Sequence, residues 1–278
     1  MFAWTKPSAW MNSKTRIGIA LSGGGVRGIA HLGVLKALNE VGIFPSKVSG
    51  SSAGAIVGAM YCQGYTPDEV FKIILETNYF KLMRPAISWK GLLKMENLAQ
   101  LFKQYLPHDD FSKLPIPLAV AATDIGKGEV VYFEKGALIQ PILASCSIPG
   151  MFEPILYASR YLVDGGVLNN MPVEPLQEDC EVIFGANCNH LPEVSKVSNI
   201  KNLIERAVMM NMNFNVYTRK AACTYFIEPP GLGKFGVFDI NKAPDLFQAG
   251  YAQAMQVIET HPELQDFAQL SLPKPTDV

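Results

Sequence analysis

Residues 17–62 hold two apolar runs that each turn straight into a helical pattern, and this repetition restricts the chain to few folds. Ile17–Leu21 reads as a strand, "SGGGVRG" (residues 22–28) as a glycine-rich turn, and residues 29–38 as a helix. A second strand over residues 47–50 then runs through "SGSSAG" into a helix over residues 53–62. Strand, helix and strand at this spacing make a βαβ unit, so the chain is expected to be α/β with parallel strands. At 278 residues, 49% of them hydrophobic and 18% charged, it has the length and apolar content for a full core.

The remainder continues in the same style. Thr66, Pro67 and Glu69 form a capping box ahead of an apolar helical run, and "ENLAQLFKQYL" is a further amphipathic helix. Between them, residues 79–93, with Pro85, Trp89 and Gly91, read as an irregular loop or a cap over a site. "IPLAVAATDI" and "GEVVYFE" read as strands, residues 137–145 as a short helix, and "YLVDGGVLNNMP" and "EVIFGANC" as later strands. Long helices are expected near residues 200–222 and 244–260, with a short strand "TYFIE" between them. No internal repeat, low-complexity linker or charge run marks a boundary, so one domain is expected.

Gly23, Gly25 and Gly28 satisfy the G-x-G-x-x-G spacing of a dinucleotide site. That site also needs an acid at the end of the second strand to hold the ribose, and a phosphate-binding P-loop needs Lys-Ser/Thr after its glycines. The chain has neither. A net charge of −1 without a basic block likewise argues against nucleic acid as a partner. The second strand ends instead in Gly50-Ser51-Ser52-Ala53-Gly54, a G-x-S-x-G turn that projects its central serine at a helix N-terminus. Parallel strands of one βαβ unit end on the same side, so Gly23–Val26 should face Ser52 and offer backbone N–H groups to an oxyanion. Asp164 in "LVDGGVLNN" also ends an apolar run, where a carboxylate can serve as base to the serine. Alone, each motif has a plain structural reading, a glycine-rich turn or an Asx turn. Together they point to acyl transfer.

In this order the three motifs resemble the patatin-like phospholipase family, over roughly residues 16–187 and including "HLGVLKAL" and "ASCSIPGMFEP". The resemblance implies a three-layer sandwich with a mostly parallel central sheet flanked by helices. It implies a Ser-Asp dyad, with Ser52 as nucleophile and Asp164 as base. The oxyanion loop would be Gly23, Gly24, Gly25, Val26, Arg27 and Gly28, with N–H groups from Gly24, Gly25 and Val26 and with Arg27 in the family's basic position. Gly50, Ser51, Ala53 and Gly54 would build the elbow, and Gly165 and Gly166 the turn after the base. Residues 16–190 would be the catalytic core, residues 1–15 an N-terminal extension, and residues 191–278, which carry no family motif, a C-terminal helical part of the same domain. The expected activity is hydrolysis of acyl esters of lipids, of phospholipase A, lysophospholipase or esterase type, through an acyl-enzyme. An acyltransferase using the same acyl-enzyme and a non-catalytic lipid-binding regulator are the alternatives.

No metal or cofactor is expected, since no D-x-[DN]-x-[DN]-G calcium pattern appears. A Ser-His-Asp triad would need a histidine after Asp164, and His190 is better placed for that than His261. His31 reads as a packed helix residue and His108 as part of a surface turn. Cys62, Cys146, Cys180, Cys188 and Cys223 are odd in number and scattered, which suggests reduced thiols rather than a zinc site or disulfide framework. The N-terminus lacks a secretory apolar region, and no run approaches the ~18 apolar residues of a membrane span. A cytoplasmic location is therefore expected, with an acyl lipid as partner and transient contact with a membrane surface, for which Phe2, Trp4 and Trp10 offer a foothold. The sequence carries no signal for oligomeric state.

Overall fold

The computed structural model describes residues 15–77, 84–88, 91–94, 96–193, 199–236 and 239–264. The N-terminal foothold at Phe2, Trp4 and Trp10 lies outside these residues. In chain order the first half comprises β1 (Ile17–Leu21), α1 (Ala30–Glu40), β2 (Lys47–Ser51), α2 (Ala53–Gln63), α3 (Pro67–Glu76), β3 (Arg84–Ser88), β4 (Gly91–Lys94) and α4 (Glu96–Tyr105). Then follow β5 (Leu118–Asp124), β6 (Glu129–Phe133), α5 (Ile139–Ser145), β7 (Ile155–Tyr157), β8 (Arg160–Asp164), α6 (Glu174–Gln177), β9 (Val182–Ala186), α7 (Ile200–Lys220), β10 (Tyr225–Ile227) and α8 (Ala243–Thr260).

Eight strands form one sheet in the order β10-β9-β1-β2-β5-β8-β7, with β6 also paired to β5. The first five strands of that order are mutually parallel, whereas β6 and β8 run antiparallel to β5, and β7 antiparallel to β8. β1 and β5 are buried along their whole length, as strands covered on both faces must be. The alternation of side chains shows the two coats. Ile17, Ile19 and Leu21 pack with Leu32 and Leu35 of α1 and Leu246 of α8, while Ala20, between them, packs with Met171, Leu176 and Val216 of α7. The molecule is thus a three-layer α/β sandwich with a mostly parallel sheet.

Three local features differ from expectation. The segment read as an irregular loop contains an antiparallel pair, β3 with β4, joined in register Arg84 to Lys94 and Ser88 to Gly91. Its Pro85 and Gly91 signal breaks, but both are tolerated in a short strand pair outside a central sheet. β7 carries no sequence signal, because three residues are too few for a period and its turn into β8 uses Ala158 and Ser159. Both adopt positive φ, 48° and 61°, in a two-residue hairpin turn that ordinarily announces itself with Asn or Gly. The first helix begins as a 3-10 turn over Gly25–Ile29 and becomes α-helical at Ala30, so the glycine loop is itself coiled.

Candidate active site

β5 brings the two chemical motifs together. β6 occupies one edge of β5 along Val120–Asp124, which leaves the other edge for two strands placed end to end. β2 finishes there with Ser51 opposite Ala121, and β8, arriving from the other direction, finishes with Asp164 opposite Ala122. The serine turn and the aspartate turn therefore leave the sheet at one point.

Ser52 follows β2 with φ 50° and ψ −123°, a strained conformation for a residue with a side chain. The turn closes because its neighbours are small: a methyl group on Gly54 would overlap the Leu21 carbonyl of β1. The Ser52 N–H donates to Ser145 Oγ at 2.8 Å, and that hydroxyl donates to the Ala121 carbonyl at 2.6 Å. The Ser52 hydroxyl donates to Asp164 Oδ2 at 2.6 Å. The other carboxylate oxygen accepts from the Gly166 N–H at 2.8 Å, within the 3-10 turn Gly165–Val167, and the Asp164 N–H donates to the Ser147 carbonyl at 2.9 Å. Burial raises the Asp164 carboxyl to about 6, against the lowering effect of the bonds from Ser52 and Gly166.

The glycine loop lies alongside, and side chains hold three of its successive carbonyls. Ser22 C=O accepts from His31 Nε2 at 2.8 Å, Gly23 C=O from Asn189 Nδ2 and from Cys188 Sγ at 3.3 Å, and Gly24 C=O from Arg27 Nε at 3.3 Å. Burial drives His31 down to about 4, so it is a neutral donor at physiological pH. Pinning the carbonyls fixes the loop's orientation, and the first N–H groups of the 3-10 turn at Gly25 have no partners within that turn. Arg27 is buried and also reaches Met209 of α7, while Gly28 rests against Ala53.

A family model described as patatin-like phospholipase matches residues 19–176, more than half of the chain. The chain belongs to this family. An uncharacterised NTE family protein of Mycobacterium tuberculosis is 35% identical over 167 residues, covering 59% of this chain and 46% of the relative. Lysophospholipase NTE1 of Kluyveromyces lactis is 25% identical over 273 residues, covering 85% of this chain and 19% of the relative. The chain thus spans less than half the length of these curated relatives. Its fold is shared with VipD from Legionella pneumophila, at a TM-score of 0.60 and 16% identity over 90% of this chain and 67% of that one.

In this patatin-like chain the loop Gly23–Gly28, the elbow Gly50–Gly54 and the Asp164–Gly166 turn converge, and no described hydrogen bond joins a histidine to either Ser52 or Asp164. His261 contacts the Val257 carbonyl at 2.8 Å at the end of α8, His108 is exposed, and His190 keeps a buried Nδ1 without a partner. Sequence reading left Ser145, Asn170 and Asn189 without roles. Ser145 lies in "ASCSIPG", a family block whose individual residues carry no motif logic, and the two asparagines look like ordinary turn formers. Among the described residues no cluster of His, Cys, Asp and Glu could hold a metal, and no helix is long and apolar enough to cross a membrane.

Proposed function

We propose that the chain is a serine hydrolase of lipid acyl esters, a carboxylic ester hydrolase of phospholipase A or lysophospholipase type that works through a Ser52–Asp164 dyad. The observation that carries this reading is the buried 2.6 Å hydrogen bond from Ser52 Oγ to Asp164 Oδ2, made at a strained elbow beside a loop of backbone donors. Ser52 Oγ attacks the ester carbonyl as its proton passes to Asp164, and N–H groups of Gly24, Gly25 and Val26 stabilise the oxyanion. Asp164 then protonates the departing alcohol, leaving an acyl group on Ser52. Water enters, gives its proton to Asp164 and attacks the acyl carbonyl; the carbon–Oγ bond breaks, Oγ recovers the proton and the fatty acid leaves. The lipid class rests on the family's description and on a relative named lysophospholipase. Labelling with a fluorophosphonate tests the assignment: wild type and the His190→Ala and His261→Ala variants should react, and Ser52→Ala and Asp164→Asn should not. An adduct mapped to Ser51, or a His190→Ala loss equal to that of Ser52→Ala in folded protein, would reject it.

The same reading has the chain cytoplasmic and working transiently at a membrane surface. All five cysteines are free thiols, as suits a reducing compartment. α7 supports the membrane contact: it borders the glycine loop through Met209, and Ile200, Leu203, Ile204, Val208, Met210, Phe214 and Tyr217 are exposed along it. In sequence this helix carries Lys201, Arg206, Arg219 and Lys220 against Glu205 alone, although Arg219 is paired with Glu174. A net positive helix with an outward apolar stripe fits an anionic lipid surface. Sedimentation with phosphatidylglycerol-containing vesicles should pull down the wild type and fail with Leu203→Glu/Phe214→Glu, while hydrolysis of a short soluble ester is unchanged. Equal pull-down of both proteins would remove α7 from the contact.

A further inference from the structure

A residue with a side chain stays at the φ of Ser52, 50°, where its surroundings over-determine it. The Ser52 carbonyl accepts from the N–H groups of Ala55 at 2.9 Å and Ile56 at 3.2 Å, ordinary bonds of the first turn of α2. The Ser52 N–H belongs to neither the strand ladder nor that helix, and a buried N–H left without a partner is costly. Ser145 supplies the partner. It is the last residue of α5 and is fully buried. The Ala121 carbonyl at 2.6 Å can only accept and the Ser52 N–H at 2.8 Å can only donate, so the Ser145 hydroxyl must donate to one and accept from the other. Alanine could do neither.

The two residues that follow also meet the dyad. Burial and the Asp164 carboxylate push the Cys146 thiol up, against the lowering effect of its hydrogen bond with the Ser52 side chain. The Ser147 carbonyl accepts the Asp164 N–H at 2.9 Å. This helix end is itself fixed: the Cys146 N–H donates to the Ile142 carbonyl at 3.2 Å, the Ser147 N–H to that of Ala144 at 3.1 Å, and Ser147 Oγ to that of Leu143 at 2.9 Å. At its other end, Asp109 Oδ1 accepts from the Leu138 and Ile139 N–H groups at 2.8 and 2.7 Å. Ser52 and Asp164 are 112 residues apart in the chain, and one helix end holds the backbone N–H of both.

We infer that Ser145 is a positioning residue for the dyad: by holding the Ser52 N–H it keeps the elbow at its strained φ and aims Oγ at the aspartate that Ser147 holds. The inference rests on the Ser–Asp reading and deepens it. Without the hydroxyl the elbow relaxes, Oγ moves off the carboxylate, and two things change together. Proton transfer slows, and Asp164 loses a bond that lowers it.

The test is fluorophosphonate labelling and p-nitrophenyl butyrate hydrolysis from pH 5 to 8 by wild type, Ser145→Ala, Ser145→Thr, Ser46→Ala, Ser52→Ala and Asp164→Asn. Ser145→Ala should label and turn over about 10- to 100-fold more slowly, the scale of a misplacement of reacting atoms by about 1 Å, with little change in KM. The acid limb of its rate profile should move upward from about 6. Ser145→Thr, which keeps the hydroxyl, should recover much of the rate. Ser46→Ala loses a 2.9 Å bond to the Ile17 carbonyl at the opposite end of β1 and β2, and should melt lower with rate and limb unchanged. A Ser145→Ala protein that behaves like Ser46→Ala, or a Ser145→Thr protein no faster than Ser145→Ala, would overturn the inference. Should Ser145→Ala not fold, Ser145→Cys, which leaves a weak donor and acceptor in its place, decides by the same two readouts. Failure of the underlying reading looks different: Ser52→Ala or Asp164→Asn would then turn over like wild type.

Discussion

Burial holds Asp164 protonated at pH values where an exposed carboxyl would be ionised, which in the proposed dyad links stability to activity at one residue. Unfolded, the group titrates near its ordinary 3.8; folded, it titrates at about 6. Between those values the folded chain binds more protons, so stability falls as pH rises through the window. Above it, the ionised group costs about 3 kcal/mol relative to an unperturbed aspartate. In the proposed dyad, however, the base form is the one that would accept the Ser52 proton. Turnover should therefore climb with pH along a limb near 6, while Asp164→Asn should lose activity by orders of magnitude and melt higher than wild type at pH 8, with the gain vanishing toward pH 4. Ester kinetics and melts at pH 4, 6 and 8 check both signs, and a flat rate from pH 5 to 8 would remove Asp164 as the titrating base. The aspartate and serine were legible in the sequence because each sits in a turn whose glycines are dictated by the backbone. The contacts of Ser145, Asn170 and Asn189 were not, since a serine or asparagine in a loop looks the same whether or not it holds a neighbouring backbone group.

Among the elements, the glycine loop is the one whose shape depends most on others. Its carbonyls are held by His31 from α1, by Asn189 beyond β9 and by Arg27 within its own coil. A methyl group on Gly24 would overlap Cys188 Sγ and press on Asn189 Oδ1 at 2.9 Å, displacing the loop from the residues after β9 that hold it. Gly24→Ala should lower turnover by about 10²–10³-fold, the cost of one lost oxyanion donor, with a smaller change in KM. An unaffected rate in folded Gly24→Ala would show that the loop does not hold the oxyanion. The strands that carry the motifs were readable from period and apolar runs, and the parallel β1–β2 pairing followed from the helix between them. What the sequence hid was that β8 reaches Ser52 by lying end to end with β2 on one edge of β5, because strand order is a tertiary choice that no local pattern encodes.

At the scale of the whole molecule, the C-terminal residues without a family motif brace the helix that grows from the glycine loop. Leu246, Ala254, Val257 and Ile258 of α8 are buried in the same core as Ile19 and Leu32, and Phe71 of α3 meets Phe247 with ring centres 4.7 Å apart. α1 and α8 touch backbone to backbone where each has a glycine: a methyl group on Gly33 would run into the Phe247 carbonyl, and one on Gly250 into the Ala30 carbonyl at the first turn of α1. This gives opposite expectations for Gly250→Ala. In an open helix position the change would stabilise by about 1 kcal/mol through helix propensity. Against the Ala30 carbonyl, the added carbon must push the helices apart, and overpacking of this kind costs about 1–3 kcal/mol or more. Overpacking wins, so Gly250→Ala should melt several degrees below wild type, whereas Gln248→Ala, on the exposed face of α8, should not. Because Ala30 continues directly from the coil of Gly25–Ile29, Gly250→Ala should also slow fluorophosphonate labelling at temperatures where it remains folded. A higher melting temperature for Gly250→Ala would mean that the two helices are not in contact at this point, and that the C-terminal helix does not support the loop from behind.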